Sequence, residues 1–170
     1  IGIQLQTPLV LSENRAFISL SQKLCYQLGI KQQDPVDVSA KKLIEYIKLS
    51  NHVSLGHVFK DSIHHYCLRE WLALVNFDVA QNIKLVTLPP PYMVEALSNH
   101  VIDGFCVGEP WNTQGELIGV SQIVASSQDI MPKVADKVLA VTVDWALQQP
   151  NTHRALTQAI QKAQQELKYL

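Results

Sequence analysis

The chain has 170 residues, of which 47% are hydrophobic, and 14 basic and 15 acidic residues give it a formal net charge of −1. This length and apolar content can form a sizeable core, and they exclude a disordered chain. The balanced charge provides no broad basic field, so nucleic-acid binding through phosphates has little support. No apolar run approaches the roughly 20 residues needed to span a bilayer.

The first 50 residues predict an extended segment followed by two helices. Ser12 to Arg15 form a polar turn whose side chains favour hydrogen bonds to their own backbone. The predicted elements are an extended segment over Ile3 to Leu11, a helix from about Ser19 to Leu28 that Gly29 ends, a loop opened by Asp34-Pro35, and a helix capped by Ser39 that runs to Leu49.

The middle of the chain predicts a parallel sheet with crossover helices. A short strand over Val53 to Phe59 precedes a helix that Asp61 or Ser62 caps and that runs to about Val75. Two apolar runs, Ile83 to Leu88 and Val101 to Val107, are joined by three prolines and a short helical segment, which is the pattern of a βαβ crossover between buried strands. Ligands gather at the carboxyl ends of such strands.

The last 60 residues continue the alternation of strands and helices, which places the chain in the α/β class. The predicted elements are a short helix or turn over Gly108 to Ile118, a strand over Val120 to Ala125, a strand over Lys137 to Thr142, a helix from near Asp144, and a final helix that Pro150-Asn151-Thr152 caps and that repeats apolar residues from Ala155 to Leu167.

The chain offers little for catalysis. It has no GxSxG, HExxH or glycine-rich phosphate motif. Cys25, Cys67 and Cys106 are an odd number without a CxxC pair, so a disulfide framework and a thiolate metal site are both disfavoured, and buried free thiols are expected. A thiol hydrolase built on Cys106 stays open, although a cysteine between Phe105 and Val107 in a strand is expected to be inert.

Three segments together carry a resemblance to a known family. The segment DGFCVGEPWN with PPPYMVEAL before it, the segment HHYCLREWLA at residues 64–73, and the segment DKVL at residues 136–139 follow one another in the family's order. They resemble the nitrate and bicarbonate solute-binding proteins of ABC transporters and their cytoplasmic nitrate-sensing relatives. The resemblance covers about residues 10 to 165. His65 departs from it, because an Asn usually stands at this position.

This resemblance implies a type 2 periplasmic-binding-protein fold, with a parallel-rich sheet flanked by helices. Members build two lobes around a cleft and are roughly twice as long, so we expect a truncated form with one lobe and part of the other. On that plan, residues 1–50 are a hinge crossing and part of lobe one. Residues 51–120 are lobe two, and residues 121–170 are the return crossing with the last helices of lobe one.

The strongest candidate for ligand binding is His64. It lies in the first turn of a predicted helix, where unpaired backbone N–H groups and the helix dipole favour an anion. The resemblance places the family's anion-contacting histidine at His64; without it, a half-exposed histidine with no ligand remains the alternative. Lys137 opens a strand, and the resemblance implies that a lysine here distinguishes nitrate binders from bicarbonate binders.

Four further residues are candidates for the site. Arg15 aligns near an anion-contacting Gln of the family, and its guanidinium either binds the anion or is exposed. Ser62 would cap the helix at His64. Glu109 would repel an anion, so it orients Lys137, caps a helix start at Pro110, or pairs across the lobe interface. Trp111 lines the cleft or packs in the core.

The resemblance implies binding of a small inorganic anion, nitrate or nitrite, without catalysis, cofactor or metal. The protein would serve an ABC permease from the periplasm, or would sense nitrate in the cytoplasm and signal to a partner such as an antiterminator, a branch that the free cysteines favour. Neither branch requires direct nucleic-acid contact by this chain. Other solutes of the superfamily (sulfonate, bicarbonate or a thiamine-precursor pyrimidine) and a regulatory interaction module remain alternatives.

Overall fold

The computed structural model describes residues 2–167 and divides them into two compact units. The larger unit comprises residues 14–134, and the smaller unit comprises the two ends of the chain, 2–13 and 135–167. The larger unit is wider than the segment 51–120 that the sequence assigns to lobe two, because residues on both sides of that segment belong to the same sheet. No helix within residues 2–167 is both long enough and apolar enough to cross a membrane.

The elements follow one another as the sequence predicts, with three additions. The strands are β1 (Leu5–Glu13), β2 (Ala16–Ser21), β3 (Ser54–His57), β4 (Lys84–Thr87), β5 (Gly104–Gly108), β6 (Ser121–Ser126) and β7 (Ala135–Thr142). The helices are α1 (Gln22–Leu28), α2 (Val36–Lys48), α3 (Ile63–Ala73), α4 (Phe77–Asn82), α5 (Met93–Ser98), α6 (Trp111–Leu117), α7 (Ser127–Ile130), α8 (Val143–Gln148) and α9 (Pro150–Glu166). The three elements that the sequence did not predict are β2, α4 and α7.

The larger unit is built on a five-stranded sheet with the order β4-β3-β5-β2-β6. β3 runs parallel to both β4 and β5, while β2 runs antiparallel to β5 and β6, so the sheet is mixed. The α/β fold class is confirmed. The predicted helix start near Ser19 is wrong: Ser19 lies in β2, and the helix begins at Gln22, where the Ser21 hydroxyl accepts from the Leu24 N–H at 3.2 Å.

The crossover predicted from the triple proline is confirmed in its topology. After β4 a 3-10 turn over Pro90–Tyr92 leads into α5, and the chain returns as β5, which lies parallel on the other side of β3. β5 is buried along most of its length, as expected. β4 is a half-exposed edge strand, so the expectation of two buried strands holds only for β5.

The core of the larger unit packs α2 and α3 against the sheet. Trp71 of α3 is fully buried, and its indole N–H donates to the Val36 carbonyl at 3.0 Å. Ser39, predicted as a helix cap, lies inside α2 and is buried; its hydroxyl donates to the same Val36 carbonyl at 2.9 Å. The predicted cap is wrong because Pro35, which has no N–H and a fixed φ, already precedes the first turn.

The smaller unit pairs β1 with β7 in an antiparallel ladder and adds α8 and α9. Pro150 is the first residue of α9, as its position in the sequence predicts, but Gln149 is the cap residue and supplies no side-chain hydrogen bond, so the predicted capping by this segment is wrong. No residue of α9 within the described range is buried. Its apolar stripe, including Leu156 at 39% exposure, is therefore uncovered in this unit.

Candidate functional site

Three parallel strands end at one edge of the sheet, and their last residues bring polar groups together. His57 ends β3, Thr87 ends β4 and Gly108 ends β5. Because β3 is parallel to both neighbours, these carboxyl ends lie at the same edge, which is where open α/β sheets bind their ligands. The chain leaves β3 at this edge and turns directly into α3, so the start of α3 lies there too.

The start of α3 is held by a buried serine. Ser62 caps the helix: its hydroxyl accepts from the His65 N–H at 3.2 Å and donates to the Phe59 carbonyl at 2.7 Å. The capping role that the sequence predicts for Ser62 is thus observed. α3 has 11 residues, and the positive end of its dipole points toward the edge where the strands end. Although the His65 N–H is taken by Ser62, such a helix start generally favours an anion.

His64 lies in this first turn and faces the end of β5. A methyl group placed on Gly108 would lie 4.0 Å from Nε2 of His64 and 3.6 Å from the carbonyl oxygen of Arg15. Ala16 pairs with Gly108 across the sheet, which brings the backbone of Arg15 to the same place. The structure therefore brings His64, Ser62 and the backbone of Arg15 together, while the Arg15 side chain is exposed. The missing side chain at Gly108 keeps space beside the imidazole.

Lys137 belongs to the smaller unit and has a partner there. Its ammonium lies 2.5 Å from the carboxylate of Asp136, which also accepts from the Ser12 hydroxyl at 3.2 Å. The Lys137 side chain is 65% exposed, whereas that of Asp136 is 7% exposed. His64 and Lys137 are thus parts of two different compact units.

Glu109 and Trp111 have structural roles beside the site. The Glu109 carboxylate accepts from the Thr113 N–H at 3.1 Å, so of the three predicted roles it is the capping of the helix start that the structure shows. The peptide bond between Glu109 and Pro110 is cis. Trp111 is half-buried against the apolar cluster under α5, which corresponds to the packing alternative.

Sequence reasoning missed Asn112, the last residue of the same motif. Asn112 is fully buried; its side-chain oxygen accepts from the Ser19 hydroxyl at 2.8 Å, and its amide nitrogen donates to the Val107 carbonyl at 2.7 Å. It thereby ties the start of α6 to β2 and β5. The available signal was a polar residue directly after Trp111, in a motif that follows a buried strand.

A second missed group is formed by His57, His65 and Thr87. The Thr87 hydroxyl lies 3.0 Å from Nε2 of His57, and the rings of His57 and His65 have centroids 5.2 Å apart. Burial is the main cause that lowers the pKa of both histidines, so both are neutral at neutral pH. The signal was present as a histidine at the predicted end of a strand and a second histidine next to His64.

Among the described residues, neither the cysteine thiols nor a cluster of metal-binding side chains supports catalysis or metal binding. Burial raises the pKa of Cys25 to about 12, and burial together with the neighbouring Cys67 raises the pKa of Cys106. Such thiols are protonated and unreactive at neutral pH, which argues against a thiol hydrolase. Within residues 2–167, no group of three or more His, Cys, Asp or Glu side chains could hold a metal ion.

One cavity of the larger unit lies away from all the predicted site residues. It has a volume of about 390 Å³ and lies where β3 and β4 begin, at the amino edge of the parallel strands. Its lining comprises Ile47, Asn51, His52, Val53, Asp78, Val79, Asn82, Ile83 and Lys84. Ligand binding in this cavity is the alternative to binding at the carboxyl edge of the sheet.

Comparisons with known proteins point to one family. The model of the NMT1-like family matches residues 1–168. The bicarbonate transport ATP-binding protein CmpC of Synechocystis sp. PCC 6803 is 36% identical over 95% of this chain and 23% of its own length. The nitrate/nitrite binding protein NrtA of Nostoc sp. PCC 7120 is 36% identical over 66% of this chain and 26% of its own length.

A solved structure shows the same fold. The periplasmic nitrate-binding protein NrtA from Synechocystis PCC 6803 superposes with a TM-score of 0.80 at 24% identity, over 95% of this chain and 40% of that protein. The fold is therefore that of a periplasmic binding protein, represented in part. The chain spans about a quarter of the length of the two curated relatives it matches.

Proposed function

This chain belongs to the NMT1-like family, and we propose from that premise that it is part of a solute-binding protein that captures a small inorganic anion, nitrate or nitrite, at the start of α3. The observation that carries the proposal is the position of His64. Its Nε2 faces Gly108 at the carboxyl edge of the sheet, in the first turn of an 11-residue helix that Ser62 caps.

The chemistry of this corner suits a monovalent planar anion. An ion that leaves water must be given replacement hydrogen-bond donors or a counter-charge, because desolvation is otherwise too costly. The helix start supplies backbone N–H donors and a positive dipole, and the imidazole of His64 supplies a ring donor. Gly108 leaves room for oxygen atoms beside that ring. The Glu109 carboxylate accepts from the Thr113 N–H, and Asp61, which directly precedes the Ser62 cap, is the acidic group next to the helix start.

Lys137 is proposed to add positive charge to the closed site. The resemblance implies this role, and it favours nitrate over bicarbonate. The ion pair with Asp136 is compatible with the role only if it stays intact, because the 7% exposed Asp136 carboxylate depends on this counter-charge, while the 65% exposed ammonium keeps further N–H donors for an anion. Arg15 contributes its carbonyl to the corner, and its exposed guanidinium can act only if the ligand or a closing lobe reaches it.

Binding becomes a signal only if the anion favours one conformation. In a two-lobe protein, differential affinity for the closed state shifts the population toward closure. The proposed recipient is an ABC permease in a transporter, or an antiterminator-type regulator in a cytoplasmic sensor. On this proposal, the chain carries out no catalysis.

A second candidate function rests on one of the similar proteins. This chain aligns over 95% of its length with 23% of CmpC, a bicarbonate transport ATP-binding protein. That alignment favours a solute-sensing domain within a transport ATPase, whose ligand would regulate transport. Bicarbonate, sulfonate and a thiamine-precursor pyrimidine are the alternative ligands.

Calorimetry on the full-length protein tests the proposal. Nitrate, nitrite, bicarbonate and an alkanesulfonate are titrated into the wild type and into His64→Ala and Lys137→Glu, with Lys162→Gln as a control on an exposed lysine of α9. We expect saturable nitrate binding that both site variants weaken at least about tenfold and that the control retains. Equal nitrate affinity in all four proteins would reject the proposed site, and bicarbonate or sulfonate binding alone would reject the proposed ligand.

A further inference from the structure

The buried His57 and the half-buried His65 form an imidazole pair at the edge where the anion is proposed to bind. His57 is 4% exposed, its ring centroid lies 5.2 Å from that of His65, and its Nε2 lies 3.0 Å from the Thr87 hydroxyl. His65 follows His64 in the first turn of α3. A ligand bound at His64 would therefore lie next to His65, one member of the pair. Nδ1 of His65 is buried and has no hydrogen-bond partner among the described residues.

Burial, assisted by the surrounding positive charges, keeps this pair neutral in the absence of a ligand. Burial is the main cause that lowers the pKa of both histidines. Arg69, one turn along α3, lowers both pKa values further, and Lys60 lowers that of His65. Asp61 is the one acidic group that acts on His65 in the opposite direction. The negative charge of Asp61 therefore does not offset burial and the positive charges of Arg69 and Lys60, and a protonated pair would need further negative charge.

An anion at the start of α3 would supply that missing charge. We propose that the pair of His57 and His65 takes up one proton from solvent when the anion binds, so that anion and proton are captured together. The inference deepens the proposed anion site and rests on it. His65 acts here as a positioning and specificity-determining residue, since it tunes the charge of the site and does not contact the ligand.

The proposal has a consequence for affinity and selectivity. When one proton is taken up per anion, the binding constant changes by up to tenfold per pH unit, and it falls as pH rises. Because the complex gains one negative and one positive charge, its net charge does not change on binding, which favours monovalent over divalent anions. His65 stands where the resemblance has Asn, so this property would distinguish the chain from relatives with Asn at that position.

The test measures proton uptake directly, by calorimetry of nitrate binding to the full-length protein at pH 7. Cationic buffers of different ionisation enthalpy, Bis-Tris, imidazole and Tris, avoid competition by a buffer anion. In the wild type, the observed enthalpy should vary linearly with the buffer's ionisation enthalpy, with a slope that corresponds to proton uptake, and affinity should fall between pH 6 and pH 8. In His65→Asn, the slope should approach zero and the affinity should lose its dependence on pH.

Controls separate this inference from the anion site itself. His52→Asn changes an exposed histidine at the opposite edge of the sheet, and it should keep the wild-type slope. Nitrate binding without buffer dependence in the wild type, or an unchanged slope in His65→Asn, would overturn the proton uptake and leave the anion site intact. Absence of binding by any anion between pH 6 and pH 8 would reject the anion site and the inference together.

Discussion

Asn112 and Ser19 are joined by a buried hydrogen bond of 2.8 Å that connects the start of α6 to β2. The same amide donates to the Val107 carbonyl, one residue before Gly108. The loop that carries Gly108 and Glu109 is therefore fixed from inside the protein. The position of Gly108 and Glu109 in the proposed site is therefore set by Asn112, whose side chain does not line the site.

Asn112→Ala should destabilise the protein without removing any residue of the site. The change deletes two buried hydrogen bonds and leaves the Ser19 hydroxyl and the Val107 carbonyl without this partner, so we expect a loss of about 2–3 kcal/mol in the free energy of unfolding. Urea unfolding measures it. The matched variant Asn99→Ala, at an exposed position in the same unit, should stay within about 0.5 kcal/mol of the wild type. Equal stabilities would show that the bond is dispensable.

Ser62 allows the helix cap and the charge of the site to be varied separately. Ser62→Ala removes the side chain that accepts from the His65 N–H and should cost about 1 kcal/mol. Ser62→Asp supplies a good cap, so stability should recover in part, since a carboxylate cannot donate to the Phe59 carbonyl as the serine hydroxyl does. Its carboxylate at the helix start should nevertheless lower nitrate affinity by about tenfold or more through like-charge repulsion. Nitrate affinity in Ser62→Asp as high as in the wild type would place the anion elsewhere.

Two glycines of β5 should respond differently to alanine. At Gly104, a methyl group would lie 2.5 Å from a Leu20 methyl and 2.7 Å from the Ser19 carbonyl, so Gly104→Ala should cost about 2–3 kcal/mol in unfolding experiments. At Gly108, no neighbour lies closer than 3.6 Å, and Gly108→Ala should stay within about 1 kcal/mol. Because the new methyl group fills space beside His64, nitrate affinity should fall about tenfold. A stable Gly108→Ala protein with unchanged affinity would contradict the site geometry.

The free energy of unfolding should depend on pH through His57 and His65. Their pKa values in the folded protein lie below the ordinary value of 6.5, so between those values and pH 6.5 the unfolded chain binds more protons. The free energy of unfolding should therefore be highest above neutral pH and should decrease as pH falls below about 6.5. Urea titrations at pH 5 to 8 measure this slope. His65→Asn should reduce it, whereas His52→Asn should reduce it less; a flat profile in the wild type would contradict the neutral pair.

The parts of the fold that sequence reasoning predicted have unambiguous local signals. The triple proline between two apolar runs indicated the crossover from β4 to β5, and Ser62 before an amphipathic segment indicated the start of α3. β2 was missed because Ala16 to Ser21 is short and buried on both faces, so its apolar residues show neither helical nor alternating spacing. Its role in the sheet comes from pairing with β5 and β6, whose paired residues are about 85 to 110 positions away along the chain.

The site residues that lie on one helix start were predicted, and those that depend on contacts between different elements were missed. His64 and Ser62 share one helix start, so local reasoning was sufficient to find them. The contact of Thr87 with His57, and of Asn112 with Ser19, joins residues 30 and 93 positions apart, and no spacing rule indicates such pairs. Lys137 lies in a different compact unit from His64, so its part in the site stays a prediction that depends on ligand binding.

An NMR titration of the full-length protein with nitrate tests the central claim most directly. If an anion is held at the start of α3, the backbone amides of Ile63, His64 and Gly108 should show the largest shifts, and these should saturate with one binding constant. The amides of Asn51 and Lys84, at the cavity on the opposite edge, should hardly move. Saturable shifts centred on Asn51 and Lys84, with Ile63 and His64 unchanged, would contradict the account.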